Sequence, residues 1–144
     1  MLHVCSFYSS VAAAERKTLV SKRIGFPYII KSIRIKYALG HNSLVQHEFF
    51  VSEDDEAPTA VIPSGTNILA QYGNVSYVCG DDDVEILDDN TIVDTMGTWL
   101  KVHAYNTDTY VHTINVRITI DDLRPHPVMA HLLELLQGLT GEKV

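Results

Sequence analysis

The sequence predicts one all-β domain, an antiparallel β-sandwich, with an N-terminal arm before it and a short C-terminal helix after it. Three observations carry that reading. Segments with apolar residues at every second position recur roughly every 8–12 residues. Clusters of Gly, Pro, Asn, Asp and Ser separate them, each with the chemistry of a turn. No strand–helix–strand alternation appears, so a parallel sheet wound with helices is excluded. The chain has 144 residues, of which 46% are hydrophobic, enough for one core without disulfide staples.

Taken in order, residues 1–27 read as the arm. Val11 to Ala14 with Glu15, Arg16 and Lys17 suit a short helix capped by Ser9 or Ser10. Gly25 and Pro27 break whatever precedes them, and an edge strand is expected around 18–24. The sandwich is expected over 28–122. In 28–38, Ile29, Ile33, Ile35 and Tyr37 share one face and Ser32, Arg34 and Lys36 the other, with Lys31 the exception. In 44–52, Val45, His47, Phe49 and Val51 alternate against Gln46, Glu48 and Phe50. Glu53 to Pro58 reads as a solvated acidic loop. Short β segments are expected at 59–62, 75–79, 84–87 and 91–93, and a short strand or one helical turn at 68–72. Residues 98–105 and 110–120 read as two long strands forming a hairpin around Asn106–Thr109. In the second, Tyr110, His112, Ile114, Val116, Ile118 and Ile120 all face one way. That length marks a strand central in its sheet. Residues 123–144 form the tail. A helix over 128–137 opens at Pro127 and ends at Gly138. Its leucines at 132, 133, 135, 136 and 139 cover more than one face, so part of it is expected to meet a second chain.

The formal net charge is −7, which argues against nucleic acid as a partner. The charge is polarised. Residues 1–50 hold seven basic and two acidic residues; residues 51–144 hold four and sixteen. Such a distribution suits association between copies. The interface residues expected from it are Arg16, Lys17, Lys22 and Arg23 on the arm and Leu133 and Leu136 on the tail. The two cysteines, Cys5 and Cys79, form no metal or redox spacing and read as free thiols in a reducing compartment. No apolar run of about 18 residues predicts a membrane helix, and the N-terminus lacks the pattern of a secretory signal.

The chain carries no motif for catalysis. It has no Gly-x-Ser-x-Gly elbow and no glycine-rich phosphate loop. Asp81, Asp82, Asp83 and Glu85 lack the ligand spacing of a calcium loop and read as a solvated turn; Glu53 to Glu56 reads the same way. His103 and His112 lie opposite each other only if the hairpin turns on two residues. A three-residue loop instead matches Val102 with Ile114 and Leu100 with Val116, and separates the histidines. Neither an enzyme, a metal nor a cofactor is therefore expected. Two rivals to a structural role stay open: a carbohydrate- or receptor-binding module using Trp99, Tyr105 and Tyr110, and a cupin-like metal enzyme using His103 and His112.

The stretch from Gly97 to Ile114, with Ile62–Asn67 and Gly80–Asp83 before it, resembles small β-sandwich structural proteins of tailed bacteriophages, among them capsid decoration or cement proteins. The resemblance spans roughly residues 28–121. It implies jelly-roll topology, a homo-oligomer at the capsid surface, expected as a trimer, and the major capsid protein as partner, with assembly in the host cytoplasm. It implies no catalytic residue.

Overall fold

The computed structural model describes residues 1–73, 75–125 and 135–136. Eight strands form two four-stranded antiparallel sheets. They are β1 (Leu2–Val11), β2 (Arg16–Val20), β3 (Tyr28–Tyr37), β4 (Val45–Ser52), β5 (Thr66–Asn67), β6 (Asp83–Val93), β7 (Trp99–Asn106) and β8 (His112–Asp122). One sheet has the order β1-β8-β3-β6 and the other β2-β7-β4-β5. First pairs with last, second with seventh, third with sixth and fourth with fifth. That nesting is a long hairpin wound into a double-sheet jelly roll.

The core lies between the sheets. Phe7, Ile30, Ile33, Ile35, Ile114, Val116, Ile118 and Ile120 from one sheet meet Val45, Phe49, Leu100, Val102 and Ala104 from the other. The alternation read in β8 is borne out: Ile114, Val116 and Ile118 are fully buried and the strand is interior to its sheet. Tyr110, placed on the same face from sequence, lies before the strand and is exposed.

Five expectations need correction. Residues 1–27 are not an arm outside the sandwich, because β1 pairs with β8 over ten positions and β2 with β7 over five. β1 hid its period by placing His3, Cys5 and Ser9 inward beside Phe7 and Val11, and Leu2, Val4 and Tyr8 outward. The edge strand expected around 18–24 exists as β2, shifted toward the N-terminus. No helix forms at 11–17; Ala12 to Glu15 is a turn with Ala14 at φ 56°. Helix propensity is a weak prior that strand pairing overrides.

The long strands β7 and β8 do not form a hairpin; they belong to different sheets. Buried Asn106 fixes the crossing. Its Nδ2 donates to the carbonyls of Val11, Ala12 and Tyr110 while its Oδ1 accepts the Asp108 amide. This side chain at the end of β7 thus ties the end of β1 to the loop that leads into β8, and holds the chain at the edge of the sandwich.

Residues 84–93 are one strand. The turn expected at Asp88–Asn90 is a β-bulge, and the Lys31 exception is its counterpart: Ile30 pairs with Thr91 and Ser32 with Asp88. Two residues of β6 thus face one of β3, the signature of a bulge. The slip changes phase, so Tyr28 and Ile30 are buried before it and Ile33 and Ile35 after it, while Ile29 is turned outward.

The segments 59–62 and 75–79 are not strands; the second contributes only a bridge between Val78 and His47. Residues Leu69–Tyr72 form the single 3-10 turn that was one of the two expectations there. The helix expected over 128–137 lies outside the described residues apart from Leu135 and Leu136.

Candidate interaction surface

The outer faces of the two sheets differ in kind. That of β2-β7-β4-β5 is covered. Lys101, His103, Thr18 and Phe50 point away from the core yet are buried, because the segment 53–65 lies across them. Lys101 is 0% exposed and its ammonium donates to Asp54 at 2.6 Å and Ser64 at 3.3 Å. The hydrogen bond from Lys101 holds the Asp54 carboxyl down at about 2. A second clasp runs from Pro58. The Thr18 hydroxyl donates to the Pro58 carbonyl at 2.7 Å and accepts from His103 Nδ1 at 2.8 Å; Arg16 Nη1 donates to His103 Nε2 at 3.3 Å. That chain fixes the neutral tautomer of His103, and burial with the Arg16 charge holds its pKa down at about 4. Glu48 faces His103 across β4 and β7, and its burial raises its pKa.

The outer face of β1-β8-β3-β6 is bare. Its register gives rows across four strands: Leu2–Asp121–Ile29–Ile92, then Val4–Thr119–Ser32–Asp88, then Ser6–Arg117–Arg34–Ile86. Arg117 and Arg34 stand directly opposite each other, and both are exposed, as are Lys31 and Lys36. The edge strands carry exposed apolar side chains: Leu2, Val4 and Tyr8 on β1, Ile86 and Ile92 on β6. Ile86 and Ile92 are 60% and 64% exposed, so nothing in the described chain covers them. Such an exposed apolar rim is the kind of surface at which interaction sites are found.

The structure distributes the expected interface residues unevenly. Arg16 is spent internally, stacked at 4.0 Å on Tyr105 and bonded to His103. Lys17 bonds Ser9 and the Ser10 carbonyl. Both therefore also serve the fold, while remaining partly exposed. Lys22 and Arg23 are exposed at the rim of a cleft of about 490 Å³ that also takes in His3, Cys5 and Phe26. Burial raises the Cys5 thiol, keeping it protonated and a poor nucleophile. Leu133 lies outside the described residues; Leu136 is exposed, with Leu135 beside it. Sequence reasoning missed the Arg34–Arg117 pair, since the two are far apart in the chain and only the β3–β8 register joins them.

His103 and His112 are not brought together, because β7 and β8 are in different sheets. His112 instead bonds Asp108 at 2.8 Å and stacks edge-on against His41, with ring centroids 4.9 Å apart. His41 lies 6.2 Å from His47, and Tyr37 packs against both. His41 and His47 are fully buried, and neither nitrogen of His41 nor Nε2 of His47 has a hydrogen-bond partner among the described residues. Burial lowers both pKa values, that of His47 to about 4. Among the described residues no three His, Cys, Asp or Glu side chains are grouped to hold a metal ion. Trp99 and Tyr105 lie six residues apart on β7, about 20 Å at strand spacing, and Tyr110 is beyond its end, so the three form no common platform for a sugar.

No protein-family model, curated protein or solved structure matches this chain.

Proposed function

We propose that this chain is a structural assembly protein: a jelly-roll β-sandwich that associates with copies of itself and decorates a virion shell, with the major capsid protein as its partner. The observation that carries the assembly reading is the bare outer face of β1-β8-β3-β6, where unpaired arginines lie between two rails of exposed apolar residues. The virion role rests on the resemblance of 62–67, 80–83 and 97–114 to capsid decoration proteins. The mechanism is mechanical. A rigid sheet presents fixed side chains, so little conformational entropy is lost on docking. Covering apolar rails contributes about 25 cal/mol per Å², and the cations set register and orientation.

The test is the mass of the purified chain by light scattering across a dilution series. A multimer is expected, a trimer if the resemblance holds. A chain that stays monomeric at about 100 μM, well above the Kd of a stable assembly, overturns the reading.

A further inference from the structure

We propose that the outer face of the β1-β8-β3-β6 sheet receives the acidic loop Glu53, Asp55 and Glu56 of a second copy, so that copies join head to tail. This rests on the assembly reading above and names the contact that produces it.

The first argument is electrostatic. Across β3 and β8, Arg34 and Arg117 are direct neighbours, and like charges placed opposite one another destabilise a sheet. Neither forms an ion pair among the described residues. Lys36 continues the stripe and Lys31 stands at the bulge, both exposed. The acids nearest this stripe do not neutralise it. Asp121 holds the N-terminal ammonium at 2.9 Å, Asp122 holds Arg124 at 2.7 Å, and Asp88 lies one row away, opposite Ser32. Lys31, Arg34, Lys36 and Arg117 are thus all exposed, and none of them forms an ion pair among the described residues. Two such faces brought together in register would oppose their arginine pairs, which disfavours face-to-face packing and favours an acidic occupant.

The chain supplies that occupant. Glu53, Asp55 and Glu56 are all exposed, and none forms an ion pair among the described residues. Their loop is held in place, since Asp54 is clamped by buried Lys101 and Pro58 by Thr18. Three carboxylates therefore stand on a fixed support, and pre-organised charge loses little entropy on binding. The face is large enough to seat the loop: four strands about 4.8 Å apart and about ten residues long span roughly 600 Å².

Topology then sets the symmetry. The cationic face belongs to one sheet and the acidic loop covers the other, so they lie on opposite sides of the sandwich. One chain cannot join them, and a closed pair cannot satisfy both. The contact is heterologous and repeats from copy to copy, into a ring if the rotation closes.

The experiment uses the full chain in size-exclusion chromatography with light scattering, at low and at high NaCl. Three or more chains per particle are expected at low salt, with loss of mass at high salt. R34E/R117E should be monomeric, and so should E53K/D55K/E56K. Mixing the two should restore the multimer, since each then offers the other a complementary face. Circular dichroism confirms that both fold; R34Q/R117Q replaces the first variant if it does not. A wild type that is a discrete dimer, a variant that keeps the wild-type mass, or a mixture that stays monomeric overturns the contact. Assembly that is indifferent to these substitutions removes the contact and leaves the assembly reading standing; a monomeric wild type removes both.

Discussion

Lowering the pH from 7 to 4 should destabilise this domain strongly, through histidines buried as neutral bases. His47 and His103 are both fully buried, and both pKa values are held down at about 4. In the unfolded chain each takes a proton near pH 6.5. Between 6.5 and 4 the unfolded state therefore binds more protons than the folded one. Stability falls as pH falls through that window and is fully present above it. The cost is about 1.4 kcal/mol per pH unit for each group. For His47 it reaches about 3 kcal/mol, with up to as much again for His103, and lowered His41 adds in the same direction. Against a typical total of about 5–15 kcal/mol, this is a large fraction. Glu48 opposes it, because its raised pKa favours the acid form in the folded state. The depressed carboxyls of Asp54 and Asp122 withdraw their contribution only below about pH 4. The assay is urea denaturation at half-unit pH steps. The slope of stability against pH near 5 should correspond to about two protons, and His103→Gln should remove about one of them. A flat profile between pH 6.5 and 4.5, or His47 and His103 ring signals that titrate near 6.5 in the folded protein, refutes the reasoning.

Other outcomes follow from the same contacts. Asp54→Asn should lower the melting temperature more than Lys101→Met, because the first strands a buried charge and the second strands a carboxylate that is 43% exposed and can rehydrate; equal shifts in thermal melts would contradict this. Val116→Asp should abolish the native circular dichroism spectrum, as a buried unpaired carboxylate costs several kcal/mol. Deleting residues 1–24 should do the same, since it removes β1 and β2 from the two sheets; a truncated chain that keeps its β signal would show these strands to be dispensable. Gly80→Ala should destabilise by about 1–3 kcal/mol in chemical denaturation, because its Cβ would stand 2.6 Å from the Tyr37 ring.

The face that now looks functional was only half legible. The charge asymmetry of the chain was visible, but it pointed to Arg16 and Lys17, which the fold uses internally. Arg34 read as an ordinary solvent-facing strand residue, and Arg117 likewise. Each reading was correct for its own strand. What makes them a site is their adjacency, which alternation along one strand cannot express. Lys101 and His103 show the converse. Their strand read only as one arm of a hairpin, yet both its faces are covered, one by the core and one by the 53–65 loop. The loop itself read as solvated because it is acidic, and the cation beneath it lies some forty residues further along the chain.

The sequence by itself determined the all-β class, most of the places where the chain turns, and the inner face of β8, because alternation and turn chemistry act over a few neighbouring residues. Only the tertiary structure decided which strands pair. β1 and β2 carried too mixed a pattern to be recognised alone, and joined the sheets because β8 and β7 each offered an unpaired edge. β7 and β8 carried the clearest patterns, and were still assigned to one hairpin. Asn106, satisfying backbone groups from two segments, sends them to opposite sheets. A period of two states that a strand has two faces; what lies against each face is fixed by groups distant in the chain.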